Sequence, residues 1–210
     1  MGDDARGERS ARVFDEDDLR PGGAWQPTGD KAARVATDRV VVEASRRDVR
    51  SVVLCNSLIY GHGRGLGRDS VQIPALVNVA RATGTVRHVG PGENIWSTVH
   101  IDDVVDLYLR ALTGAPAGSF YFVENGEASF GDIARAVARA LGLPPAQPWD
   151  VDSAVDEWGY ELARYALGSN SRVRGTRARQ ELGWSPEHSS VLDWIRHELR
   201  GGGPPAHTAE

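Results

Sequence analysis

The order of apolar and polar positions predicts strands that alternate with helices. The run SVVLCNSLIY at 51–60 opens with consecutive apolar residues, as is typical of a parallel strand covered on both faces. Helical spacing of apolar residues precedes this run over 30–49 and follows it over 70–83. Short strands are predicted near 86–89 and 95–99. Such an alternation indicates an α/β fold.

The second half of the chain is predicted to be mainly helical. After a helix that begins near Asp102 and a strand at 119–123, further helices are expected at 129–141, 153–167, 175–182 and 190–200. Serines suited to capping helix starts are Ser70, Ser129 with Asp132, Ser153 with Asp156, and Ser190 with Asp193. Helix stops are expected at Gly84 and Gly183.

Composition and charge exclude several classes of protein. The 210 residues carry 24 basic and 29 acidic side chains, interleaved, for a net charge of -5, so no nucleic-acid partner is expected. Cys55 is the single cysteine, which excludes an internal disulfide and favours a cytoplasmic location. The longest apolar run is about half of what a membrane helix needs, so no membrane partner is expected. The first ten residues lack the apolar core of a signal peptide.

Two segments carry candidate chemistry. The glycine-rich loop at 61–67 follows a strand and precedes a helix, but its spacing does not fit G-x-G-x-x-G. It is therefore either a flexible loop or a ligand-contacting loop at the carboxyl edge of the sheet. The segment from His100 to Asp103 contains potential metal ligands, but its spacing supplies no complete set. Acidic residues at a helix start suit the helix dipole, so no metal site is predicted.

Cationic side chains offer two further candidates. Lys31 is the only lysine among the 24 basic residues. The presence of a lysine here is either due to chance or marks a site where a compact ammonium group is required. Four arginines lie close together at Arg172, Arg174, Arg177 and Arg179. They either hold an anionic group or form a solvated helix face.

Three segments in order carry a resemblance to a known family. They are SLIYGHG at 57–63, VGPGENIWSTVHIDDVVDLYLRAL at 89–112 and ARQELGWSP at 178–186. Over 12–198 the chain resembles the extended short-chain dehydrogenase/reductases, and more narrowly the atypical branch of the NAD-dependent epimerase/dehydratase proteins. The resemblance implies a Rossmann domain with a smaller substrate domain, NAD or NADP as cofactor, and a small-molecule substrate.

The resemblance implies roles for particular residues. Lys31 matches the lysine of the family's Y-x-x-x-K motif, which holds the nicotinamide ribose and activates the tyrosine, whereas the tyrosine position is Pro27. The implied cofactor-binding residues are Lys31, Ser57, Leu58 and Ile59. The implied substrate-binding residues are Tyr60, Gly61, Trp96, His100 and Arg172.

The predicted organisation is a partial Rossmann-type parallel sheet with a mainly helical C-terminal substrate subdomain. We expect an irregular N-terminal arm at 1–29, a Rossmann-like α/β region at 30–142, the helical subdomain at 143–200 and a disordered tail at 201–210. The family's T-G-x-x-G-x-x-G motif is not in the sequence, which leads us to expect a truncated family member. An open sheet edge would then favour a homo-oligomer.

The function predicted from these observations is hydride transfer on a hydroxyl or carbonyl group of a small or sugar-like substrate. Without the first βα turn, which carries the cofactor pyrophosphate in such folds, cofactor binding is doubtful and weak or no catalysis is expected. Trp96 stands where sugar-nucleotide enzymes of the family carry arginine, which disfavours a nucleotide-sugar substrate. The alternative is a non-catalytic module that binds a ligand or a partner on the same scaffold.

Overall fold

The computed structural model describes residues 6–18, 26–27, 29–65 and 70–200. The strands are β1 (Phe14–Asp15), β2 (Val52–Asn56), β3 (Leu58–Tyr60), β4 (Arg87–Val89), β5 (Ile95–His100), β6 (Ser119–Val123), β7 (Glu127–Ser129), β8 (Gln147–Trp149) and β9 (Val173–Arg174). The α-helices are α1 (Gly29–Glu43), α2 (Gln72–Thr83), α3 (Ile101–Gly114), α4 (Phe130–Leu141), α5 (Val151–Trp158), α6 (Arg177–Leu182) and α7 (Val191–Glu198). A 3-10 turn (Ala44–Arg47) continues α1, and a π-helical segment (Glu161–Leu167) follows α5.

The apolar run at 51–60 forms two strands that pair with different partners. Strand β2 pairs in parallel with β6, and β3 pairs in parallel with β5. Ser57 lies between them, and its N–H still donates to the carbonyl of Val123 at 3.1 Å. β7 then adds to β5 in the antiparallel direction. The predicted α/β fold with parallel strands is confirmed, although the prediction of one continuous strand missed the exchange of partners.

Two apolar clusters lie against these strands. In the larger one, α4 buries its apolar face completely at Ile133 and Val137 and packs with α2, α7 and Leu58 of β3. In the smaller one, α3 packs with β6 and with Trp184, whose side chain is 2% exposed. Burial of such large apolar side chains is the main favourable term in folding. Trp184 is therefore a core residue.

The predicted helix at 153–167 is wrong in its start and in its continuity. Asp150 caps α5 by accepting a hydrogen bond from the N–H of Ser153 at 2.9 Å. The α-helix ends at Gly159, whose φ of 78° is left-handed and suits glycine. The chain resumes as the π-helical segment. Apolar spacing runs through this break, so periodicity alone could not locate it.

Part of the predicted irregular arm at 1–29 is a strand. Phe14 and Asp15 pair in parallel with β9. The carboxylate of Glu16, which is 3% exposed, accepts hydrogen bonds from the N–H groups of Phe122 and Thr176, both at 3.4 Å. The predicted disordered tail at 201–210 lies outside the described residues.

Helix starts give a direct test of the capping assignments. Ser129 and Ser190 cap α4 and α7 as predicted, accepting from Asp132 and Asp193. Ser70 does not cap α2, because the N-cap position is Val71 and no side chain caps it.

We expect Ser129→Ala to lower the free energy of unfolding by about 1 kcal/mol, since it removes a side-chain cap. Ser70→Ala is the matched control and is expected to change it by less than about 0.5 kcal/mol. Urea unfolding of the two variants measures the difference. Equal losses would contradict the structural distinction between these serines.

Candidate functional site

A cavity of about 520 Å³ opens between α1, the end of β2 and the π-helical segment. This volume lies within the range of small-molecule sites. Lys31 comes from the first turn of α1, Asn56 and Ser57 from the end of β2, and Tyr165 from the π-helical segment. The cavity therefore combines residues from both the predicted Rossmann-like region and the predicted substrate subdomain.

Lys31 and Tyr165 form a direct contact at this cavity. The Lys31 ammonium lies 4.2 Å from the centroid of the Tyr165 ring, within cation–π range. Both side chains are half-buried. Among the described residues, no carboxylate lies within 4.0 Å of the ammonium. The cation is thus placed against an aromatic face at the wall of the cavity.

Two buried polar atoms at the end of β2 lack hydrogen-bond partners among the described residues. They are Ser57 Oγ and Asn56 Oδ1. The Asn56 amide nitrogen is engaged, donating to the Tyr108 hydroxyl at 3.3 Å. An unsatisfied buried oxygen costs free energy. Both oxygens are shielded from solvent, so they lie beneath the cavity wall, although Asn56 and Ser57 contribute other atoms to that wall.

Trp96 contributes an aromatic wall. Its indole Nε1–H donates to the Ser169 carbonyl at 2.9 Å, and its ring meets Phe130 edge-on with centroids 6.5 Å apart. Since the polar atom of the indole is used internally, the ring offers the cavity an apolar surface. Of the residues predicted to bind cofactor or substrate, Lys31, Ser57 and Trp96 meet here.

Tyr60, Gly61 and His100 form a separate buried cluster. Tyr60 is 1% exposed and its hydroxyl donates to the His188 carbonyl at 2.9 Å. Burial raises the pKa of Tyr60, so the phenol stays protonated near neutral pH. Gly61 has φ +103°, and a Cβ there would lie 2.6 Å from His100 Nε2. None of the three lines the cavity.

The cluster continues around the start of α3. His100 caps the helix through Nδ1, which accepts from the N–H of Asp102 at 3.2 Å, and its ring stacks on His188 at 4.0 Å. Asp103 accepts from the N–H groups of Glu187 and His188, both at 3.0 Å. Asp102 and Asp103 lie in the first turn of α3 as predicted, but the capping side chain is that of His100.

Candidate metal ligands do converge at this helix start. Ligand atoms of His100, Asp102 and His188 lie within 4.8 Å of one another. His188 is a member that the spacing in the sequence did not reveal. His100 Nδ1 is already used as the helix cap, and the two imidazoles stack rather than converge edge-on. The expectation of no metal stays a prediction.

The remaining predicted site residues serve the fold. Leu58 is 1% exposed in the larger core cluster, and Ile59 packs against the smaller one. Arg172 forms a bidentate ion pair with Glu127, with N–O distances of 2.9 and 3.1 Å. Their predicted ligand-binding roles stay predictions, with side chains placed away from the cavity walls.

Sequence reasoning missed Tyr165 and Asn56 as cavity residues. Neither belongs to a motif with a recognisable spacing, and Tyr165 is far from Lys31 along the chain. Cys55 also lines the cavity, and burial raises the pKa of its thiol. A thiol with a raised pKa stays protonated near neutral pH and is a poor nucleophile.

The parallel strand pairs with helices packed against them define a Rossmann-type α/β protein. Residues 28–122 match the model of the NAD dependent epimerase/dehydratase family. This region, just under half of the chain, is therefore similar to that family. No helix within the described residues is both long enough and apolar enough to cross a membrane.

Similar proteins cover most of this chain. It is 32% identical over 203 residues to Oxidase ucsJ of Acremonium sp, covering 86% of this chain and 58% of that protein. It is 27% identical over 167 residues to 3-diazoavenalumate denitrifying reductase of Streptomyces sp, and the match covers 78% of this chain and 53% of that protein. Among solved structures, the chain is similar to DesIV, a dTDP-glucose 4,6-dehydratase from Streptomyces venezuelae with NAD and TYD bound. The TM-score is 0.66 at 21% sequence identity, and the match covers 94% of this chain and 56% of DesIV. The chain thus spans little more than half the length of these relatives.

The buried histidines make stability depend on pH. Burial, and then the neighbouring His188, lower the pKa of His100 below its usual 6.5, and burial also lowers the pKa of His88. Acid then protonates the unfolded chain preferentially, so the free energy of unfolding falls as pH drops below about 6.5.

We expect His100→Asn, which keeps a capping side chain, to reduce this loss between pH 7.5 and pH 5.5. His197→Asn, an exposed position on α7, is the control and should keep the loss. Urea unfolding at the two pH values measures both. If His100→Asn loses as much unfolding free energy between pH 7.5 and pH 5.5 as the parent chain, His100 is not a source of the pH dependence.

Proposed function

We propose that the cavity binds the nicotinamide end of NAD(H) or NADP(H). The chain then takes part in hydride transfer on a hydroxyl or carbonyl group of a small molecule. The observation that carries this proposal is that Lys31, Ser57 and Trp96 line one cavity. The match of residues 28–122 to the NAD dependent epimerase/dehydratase family supports this proposal, and NAD is bound in the DesIV structure.

The residues present suit the riboside end of such a cofactor. Ribose hydroxyls accept hydrogen bonds from donors, and the Lys31 ammonium at the cavity wall offers three N–H groups. When bound, the dinucleotide supplies or accepts the hydride. The fit is limited to this end, since the sequence contains no T-G-x-x-G-x-x-G turn for the pyrophosphate.

The lining of the cavity favours a substrate other than a nucleotide sugar. Two of its three arginines are paired, Arg34 with Asp38 at 3.3 Å and Arg177 with Asp17, which leaves Arg39 for bidentate contacts with a diphosphate. Trp96 presents an apolar ring to the cavity. A small hydroxyl or carbonyl compound with an apolar body therefore fits the cavity better than a nucleotide sugar.

A second candidate function is a non-catalytic binding module on the same scaffold. Pro27 favours it, because proline at the position of the family's tyrosine has no proton to transfer. Saturable cofactor binding without turnover of any hydroxyl or carbonyl substrate would favour this candidate.

We expect Lys31→Ala to weaken NADH or NADPH binding at least about tenfold, the effect of losing one charge-assisted hydrogen bond. Arg46→Ala removes the same charge from an exposed site beyond the end of α1 and should change Kd less than about twofold. Quenching of tryptophan fluorescence during cofactor titration measures both.

Circular dichroism first establishes that each variant folds. A folded parent chain that binds neither cofactor would refute the proposed function. Equal effects of the two substitutions would show that net charge, and not the position of Lys31, controls binding.

A further inference from the structure

The missing family tyrosine leaves a chemical gap at Lys31. Hydride transfer to a carbonyl requires a proton for the developing alkoxide, and Pro27 cannot provide one. A proton donor for this role needs a titratable group at the cavity, close enough to Lys31 for the ammonium to stabilise its conjugate base.

Tyr165 meets these conditions from a different part of the chain. It lines the same cavity as Lys31 and Ser57, and its ring centroid lies 4.2 Å from the Lys31 ammonium. An ammonium over a phenol ring favours the phenolate, because the negative charge spreads into the ring. Tyr165 is also half-buried, so solvent screens this interaction only in part.

The local backbone sets Tyr165 apart from an ordinary helical tyrosine. It belongs to the π-helical segment Glu161–Leu167. Such segments are rare in proteins, and those that occur are often found at functional sites. The segment is anchored near Trp96, since the Ser169 hydroxyl donates to the Tyr165 carbonyl at 2.6 Å while the Ser169 carbonyl accepts from the indole. The aromatic wall of the cavity and Tyr165 are therefore held together.

We propose that Tyr165 is the catalytic acid/base of this site, in the role that Pro27 cannot fill. A reduced cofactor held at Lys31 would supply the hydride to the carbonyl carbon of the substrate, and the carbonyl oxygen would then gain negative charge. The Tyr165 O–H bond breaks and the proton moves to that oxygen, which yields the alcohol. Lys31 stabilises the phenolate, which regains a proton from water, and the reverse sequence oxidises an alcohol. This inference rests on the proposed function.

Other tyrosines provide the contrast for a test. Burial raises the pKa of Tyr60, and burial raises the pKa of Tyr121 to about 12. The remaining tyrosines are Tyr108, Tyr160 and Tyr165. Tyr160 is 52% exposed, stands beside Tyr165 with ring centroids 5.8 Å apart, and does not line the cavity. Tyr160→Phe is therefore a matched control for Tyr165→Phe.

The first measurement is phenolate absorbance at about 295 nm against pH. Subtracting the Tyr165→Phe curve from the parent curve isolates the titration of Tyr165, and Tyr160→Phe isolates that of Tyr160. We expect Lys31→Ala to raise the pKa of Tyr165 by about 1 unit, as for loss of a nearby opposite charge, and to leave that of Tyr160 unchanged. An unchanged pKa of Tyr165 would overturn the proposed pairing.

The second measurement is cofactor oxidation with 4-nitrobenzaldehyde as carbonyl probe. We expect Tyr165→Phe to lower kcat about 100-fold and to keep Kd for NADH or NADPH within about twofold, because ring and ammonium remain. Tyr160→Phe should retain kcat. Equal kcat in the two variants, or no turnover by a parent chain that binds cofactor, overturns the catalytic role. The parent chain could fail to bind cofactor while the pKa of Tyr165 still depends on Lys31. That result would refute the proposed function but would keep the interaction between Lys31 and Tyr165.

Discussion

The exchange of strand partners at Ser57 is the constraint on which the site depends. β2 is held by β6 and β3 by β5, so one extended segment joins the two apolar clusters. Between the two pairings, the Ser57 N–H stays bonded to Val123, while its hydroxyl and the Asn56 side-chain oxygen lack partners among the described residues. The junction that joins the two apolar clusters thus also places Asn56 and Ser57 among the residues that line the cavity.

The opposite wall depends on the break between α5 and the π-helical segment. Gly159 ends the α-helix, and the following segment turns Tyr165 toward Lys31 of α1. Trp96 extends this wall from β5, held by its bond to Ser169. These walls place a cation against aromatic faces at one cavity. The chemistry of the cavity thus follows from where two helical segments end and begin.

Charged groups elsewhere are used to hold the fold. Asp103 binds the backbone at His188, and Glu124 accepts from the N–H of Gly175 at 3.0 Å and from Arg179 at 3.1 Å. Arg172 is paired with Glu127. Buried or half-buried ion pairs of this kind are costly to break, because the remaining charge is left without a partner. Three of the four clustered arginines, Arg172, Arg177 and Arg179, are consequently occupied in structural contacts.

The sequence by itself determined the α/β order, the helices that begin at Ser129 and Ser190, and Lys31 as the only lysine among the basic residues. Each of these depends on local periodicity, on a cap three residues away or on composition. Only the tertiary structure decided that Ser57 is a junction, that Tyr60 and His100 belong to a buried cluster, and that Arg172 is paired. It also brought Tyr165 to Lys31. The physical reason is that contacts between distant segments depend on packing and on which hydrogen bonds remain unmade, and neither leaves a periodic signal in the chain.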